Sequence, residues 1–201
     1  AGDYLIIQFA HNDEKCKGED VYVQNAKLRA EGKDTLTDMR GTEPNTTYKE
    51  YLRRYINEAR EMGVKPILMS PICRVYFKDG KINAEGRHDL SKDGIDKNYV
   101  RCMREVAEEM NVPFLDMTAK SMEMYESAGQ KTCMERYFNC GDKTHTGQEG
   151  GMVNANLAYL LIKNCPELKE LHHLVALPSI EVYSSYIRAI EERGKREAFA
   201  A

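Results

Sequence analysis

Two short polar clusters hold the residues whose types and spacing are best suited to chemistry. His11-Asn12-Asp13 directly follows an apolar run, and Asp142-Lys143-Thr144-His145 lies in a polar stretch ahead of a long amphipathic segment. A carboxylate three residues before an imidazole is placed to orient the ring and to stabilise its protonated form, the arrangement that general acid–base chemistry needs. Each cluster also has a plainer reading. An aspartate near a helix start is commonly a cap, and an asparagine after a strand commonly closes a turn.

What positions these clusters is an alternation of strands and helices. Tyr4-Leu5-Ile6-Ile7-Gln8-Phe9 is a nearly continuous apolar run, which predicts a central strand covered on both faces. Residues 14–45 read as a long polar loop punctuated by Gly18, Gly32, Gly41 and Pro44, able to wall or cover a site. Thr47-Tyr48-Lys49-Glu50 fits a capping box, and Tyr48, Leu52, Tyr55, Ile56, Ala59 and Met62 follow at helical spacing until Gly63 stops the helix. On this spacing Tyr48, Tyr51 and Tyr55 are packing residues.

Pro66–Pro71 reads as the next buried strand, Val100 to Met110 as a helix and Val112–Asp116 as a third strand. Helices are expected over 118–128 and from about Gln148 to Lys163, with a loop over 130–147 between them. Strands alternating with helices imply a parallel sheet with crossover helices, and in such sheets binding residues gather outside the carboxyl ends of the strands. Both clusters fall there. Residues 1–175 are expected to form one domain, and 176–201 an amphipathic helix or a linker with Tyr183, Tyr186, Ile187 and Ile190 on one side.

The bulk composition excludes several classes. With 201 residues, 42% of them hydrophobic, the chain can bury one substantial core. Its 29 basic and 32 acidic residues are spread evenly, leaving a net charge of −3 and no stripe for a phosphate backbone, so nucleic acid is not an expected partner. No apolar run is long enough to span a bilayer. The six cysteines, Cys16, Cys73, Cys102, Cys133, Cys140 and Cys165, form no close pair of the kind that builds zinc or redox sites, and reduced thiols are favoured. No metal and no cofactor are expected. His172-His173 reads as solvated. The chain opens without Met and runs at once into apolar sequence, which implies a natural protein that begins upstream, and its compartment is left open.

Taken in order, Gln8-Phe9-Ala10-His11-Asn12-Asp13, Thr46-Thr47-Tyr48, Ser70-Pro71-Ile72-Cys73-Arg74 and Asp142-Lys143-Thr144-His145 resemble the SGNH (GDSL-type) hydrolases, nearest to the rhamnogalacturonan acetylesterase-like branch. Gly80-Lys81-Ile82 with His88-Asp89, and Met103–Glu109 leading into Val112-Pro113, extend the resemblance over roughly residues 2–165. It implies a flavodoxin-like three-layer α/β/α sandwich with a parallel sheet, and removal of acetyl groups from polysaccharide hydroxyls such as those of pectin. His145 would then be the general base, Asp142 its orienting carboxylate and Asn12 a side-chain donor to the oxyanion. His11, Arg74 and His88 would face the substrate. Arg74 suits an acidic sugar such as galacturonate, and a surface ion pair is its plainer reading.

The same resemblance exposes a gap. Family members carry the nucleophilic serine in a Gly-Asp-Ser motif near the amino terminus, followed by a glycine that supplies a second oxyanion donor. Both would precede Ala1, along with the first strand and helix of the fold. None of Ser70, Ser91, Ser121 or Ser127 sits in such a motif. The chain as it stands is therefore expected to be inactive, an acetylesterase lacking its serine. The alternative is a non-catalytic carbohydrate-binding or scaffold domain on the same fold. In either case the missing strand would bare a sheet edge and allow a homodimer.

Overall fold

The computed structural model describes residues 2–15, 21–36, 40–82, 98–139 and 141–175. Its centre is a parallel sheet of three strands in the order β1 (Tyr4–Ile7), β2 (Lys65–Met69), β5 (Phe114–Leu115). Tyr4 lies opposite Lys65 and Ile7 opposite Leu68, while Leu68 and Met69 pair with Phe114 and Leu115. A short antiparallel hairpin, β3 (Phe77–Lys78) and β4 (Lys81–Ile82), stands apart from the sheet. Asp79 and Gly80 between its strands both take positive φ, the two-residue turn that an Asp-Gly pair favours.

Successive side chains of a strand point to opposite faces, and β2 divides the core accordingly. Leu68 packs in one cluster with Ile7, Ala10, Tyr48, Leu52, Ile56, Tyr99, Met103 and Val106. These come from β1 and its extension and from the helical segments on that face, chiefly α2 (Lys49–Glu61) and α3 (Tyr99–Met110). Ile67 and Met69 point the other way, into a cluster with Leu115, Tyr125, Phe138, Val153 and Leu157. That layer is built by α4 (Met117–Thr132) and α5 (Gln148–Lys163). The result is the expected α/β/α sandwich.

Local chemistry accounts for the boundaries. α2 ends where Gly63 adopts φ +71, and α3 ends on Asn111 in the left-handed region. Asn98 caps α3 by accepting the Arg101 N–H, and Asp116 caps α4 by accepting that of Ala119. α5 occupies the predicted interval. It begins against Tyr137, where Gly150 is required: a Cβ there would stand 2.0 Å from the Tyr137 carbonyl oxygen.

Several expectations are corrected. β1 is an edge strand: among the described residues only β2 pairs with it, and Leu5, Ile6 and Phe9 are 39%, 44% and 49% exposed. Its apolar run suits a covered strand, but a run of this kind does not say how many neighbours a strand has. The predicted loop over 14–45 contains a helix, α1 (Val21–Ala30), followed by Gly32 at φ +67. Good helix formers at Gln24, Ala26, Lys27, Leu28, Arg29 and Ala30 outweigh its weak apolar periodicity. The turn after it is fixed by buried Asn25, whose amide donates to the Leu36 carbonyl and accepts the Leu36 N–H.

The cap before α2 also lies earlier than predicted. A single π turn over Pro44–Tyr48 precedes the helix, with the Glu43 carboxylate accepting the Thr46 N–H and the Glu43 N–H donating to the Thr47 hydroxyl. Of the three tyrosines read as packing residues, Tyr48 is buried, whereas Tyr51 and Tyr55 are 38% and 45% exposed, with Tyr55 stacked on Phe9. Cys73, Cys102 and Cys133 are buried free thiols, and burial holds Cys133 up to about 11. No helix among the described residues is long and apolar enough to cross a membrane. Residues 176–201, with the expected amphipathic segment, lie outside the described residues.

Candidate active site

At the carboxyl ends of β1 and β2 the chain forms a cavity of about 530 Å³. Gln8, His11, Asn12, Pro71, Ile72, Thr144, His145 and Asn154 are among the residues that line it. Three of the residues singled out in the sequence, His11, Asn12 and His145, are thus brought together, with Asp142 behind the imidazole. His145 Nδ1 donates to Asp142 Oδ2 at 2.7 Å. In the neutral ring this leaves Nε2 with the lone pair that can take a proton.

The base loop is shaped by its own backbone. Asp142 Oδ1 accepts the N–H groups of Thr144 (2.6 Å) and His145 (2.9 Å), closing a tight turn that presents the imidazole. These bonds hold the Asp142 carboxyl down at about 2, the backbone N–H of His145 contributing most, then the imidazole, then the N–H of Thr144. An isolated antiparallel bridge between Phe138 and Thr146 closes the loop, and Gly147 N–H donates to the Tyr137 carbonyl to start α5. The loop is therefore seated on the layer that contains Phe138, Tyr137 and α5. The His145 side chain is 77% exposed, so solvent reaches the ring.

The Asn12 loop is seated on the other layer. Tyr48 donates its hydroxyl to the Phe9 carbonyl at 2.6 Å, and Tyr99 shares its one hydroxyl proton between the carbonyls of Asp13 (2.9 Å) and Thr42 (2.5 Å). The Thr42 hydroxyl donates to Asp13 Oδ1, and burial raises the Asp13 carboxyl above its ordinary range. Glu14 N–H donates to the Ala10 carbonyl, while the Ala10 methyl is buried in the core. Asn12 is left exposed at the tip of a loop whose flanks are fixed. Sequence reasoning treated Tyr48 as packing and gave Tyr99 no role, because a hydroxyl-to-carbonyl bond across 39 or 86 residues has no local signature.

The substrate-facing assignments fare unevenly. His11 borders the cavity but Nε2 donates to the Ile72 carbonyl, tying the ends of β1 and β2 together. Arg74 does not border it. Its side chain is 10% exposed and meets Glu14 at 3.2 Å, a buried pair rather than the surface one considered from sequence, and the same guanidinium donates to the His11 carbonyl and the Thr144 hydroxyl. It is engaged inside the protein and not held out to a sugar carboxylate. His88 lies outside the described residues.

Among the described residues no serine or cysteine lines the cavity. Ser70 is buried and donates to Asp116, Ser121 is buried and donates to the Thr118 carbonyl, and Ser127 is exposed elsewhere on α4. Among the described residues no group of three His, Cys, Asp or Glu is arranged to hold a metal ion. His172, one of the adjacent histidines, donates Nε2 to the Ile162 carbonyl near the end of α5.

No protein-family profile matches the chain. A rhamnogalacturonan acetylesterase of Bacillus subtilis (strain 168) is 27% identical over 168 residues, which is 78% of this chain and 59% of that protein. A probable rhamnogalacturonan acetylesterase of the same strain is 28% identical over 164 residues, 80% of this chain and 62% of that one. The chain is thus similar in sequence, over most of its length, to two proteins of that name. It spans about three-fifths of the length of these relatives. Among solved structures, a Bacillus subtilis protein overlaps 80% of this chain and 36% of its own, with a TM-score of 0.55 at 21% identity, a likeness of fold. The sandwich and the relatives agree with the carbohydrate-esterase resemblance drawn from the motifs, and the parallel sheet is what places the Asn12 and His145 loops at one end.

Proposed function

We propose that this chain is the base-bearing part of a carbohydrate O-acetylesterase of the rhamnogalacturonan acetylesterase type. One observation carries the reading: a histidine oriented by an ionised aspartate shares a cavity with an exposed asparagine amide. His145 Nε2 would take the proton from a serine hydroxyl as its oxygen attacks the acetyl carbonyl. Asn12 would donate to the oxyanion, and Asp142 would steady the imidazolium. The proton then passes from His145 to the departing sugar oxygen, which leaves an acetyl-serine. Water, deprotonated by the same imidazole, attacks that ester and releases acetate and the free serine.

The serine belongs to sequence outside this chain. The edge of β1 that no described residue pairs with ends beside the cavity, and an added parallel strand there would end next to Asn12. It would also shield His145, whose exposure leaves it in water, where electrostatic stabilisation is weak. A second reading, a non-catalytic carbohydrate-binding domain, draws on the absence of serine and cysteine from the described cavity lining.

Acetate release from acetylated pectic oligosaccharide separates the two. A protein extended upstream through a Gly-Asp-Ser motif is expected to release acetate, and His145→Ala in it to abolish the release, while the present chain stays inactive. Sugar binding by this chain that survives His145→Ala, with no turnover in the extended protein, would favour the binding domain. Turnover by the chain alone would overturn the assignment of an external nucleophile.

A further inference from the structure

The guanidinium of Arg74 joins two loops that are far apart in sequence to each other and to its own strap. Nη2 donates to the His11 carbonyl at 2.8 Å, directly before Asn12, and meets the Glu14 carboxylate at 3.2 Å on the other side of it. Nη1 donates to the Thr144 hydroxyl at 2.6 Å, directly before His145. The adjoining Val75 N–H donates to the Lys143 carbonyl at 3.0 Å, so the strap bonds the base loop twice. Arg74 and Glu14 side chains are only 10% and 6% exposed; the contact with Glu14 Oε2 is an ion pair without a hydrogen bond, and the hydrogen bonds that fix the guanidinium are those to His11 and Thr144.

The two loops it joins are seated on different helical layers. We propose that Arg74 is a positioning residue that clamps the Asn12 loop to the His145 loop, fixing the distance from oxyanion donor to base. A planar fork with several donors can hold two partners in one geometry, which a lysine ammonium cannot. This inference rests on the esterase reading for its purpose, though the clamp itself can be tested without turnover.

The first arm uses the chain as it is. In wild type the Asp142 carboxyl, followed by carbon NMR, is expected to titrate at about 2, because the His145 N–H, its imidazole and the Thr144 N–H are held against it. Thr144→Val keeps the Arg74 charge and removes only the anchor, and it is expected to move this titration toward the ordinary 3.8. Arg74→Lys should do the same with the charge retained. If only Arg74→Met shifts it, bare charge is responsible and the clamp is overturned. If none of the three shifts it, the loop is self-supporting and the clamp is overturned again.

The second arm uses an extended protein that hydrolyses acetyl esters. Arg74→Lys is expected to lower kcat by roughly a hundred-fold while KM changes little, the signature of misplaced groups. A rise in KM confined to uronate-bearing substrates would mean that Arg74 contacts the sugar and would overturn the clamp. An inactive extended protein would sink the esterase reading, and the titrations would still decide the clamp.

Discussion

At the scale of single residues, the site is made by polar groups that pin backbone rather than by a large concave pocket. Asp142 shows this most directly. Its carboxyl lies below its unfolded value, so its contribution to stability is fully present above about 4 and is lost as pH falls through about 2. Denaturant melts between pH 5 and pH 2 should show this acid-side loss in wild type and a shallower one in Asp142→Asn. The two tyrosines act by their hydroxyls. Tyr48→Phe strands the Phe9 carbonyl and Tyr99→Phe releases those of Asp13 and Thr42, each expected to cost about 1 to 2 kcal/mol in urea unfolding. The Asp–His pair was legible in sequence because its spacing is local. Arg74 and the tyrosines were not, since their partners sit on other elements and a side chain's exposure follows from the packed fold.

Among the elements, those with a strong period or a clear stop matched their prediction: α5 over Gln148–Lys163, and α2 ending before Gly63. α1 was missed because its apolar residues do not form one stripe. β1 was read as central because the same apolar pattern serves a strand with one neighbour or two. The start of α5 gives a sharp paired test. Gly150→Ala would drive a methyl into the Tyr137 carbonyl, an overpacking expected to cost on the order of 1–3 kcal/mol or more. Gly151→Ala, one position on, meets nothing within 4 Å and should stabilise the helix by roughly 0.5–1 kcal/mol. Thermal melts of the two variants should move in opposite directions. The Gly150 variant should also disturb the Phe138–Thr146 bridge that closes the base loop.

For the whole molecule, the edge of β1 that no described residue pairs with is the feature with the widest reach. A strand that shows Leu5 and Ile6 beside unpaired backbone is a template for another strand. The chain is expected to self-associate with rising concentration in sedimentation velocity. Ile6→Lys should return it to a monomer without loss of helical circular dichroism, since Ile6 is 44% exposed. A wild type that sediments as a monomer throughout would rule that pairing out.

The division of the core carries one more consequence. Phe9 and Asp13 are tied to residues of the α2–α3 face, while Phe138 and Tyr137 tie His145 to the α4–α5 face. The cavity is thus read like a vernier, with one scale engraved on each layer and the zero set where they meet. A slide of one layer by a fraction of an ångström leaves both loops intact and detunes the site only as far as the Arg74 bridge between them yields. On the proposed esterase reading, distant substitutions under either helix pair act as fine adjustments of reactivity without touching Asn12 or His145.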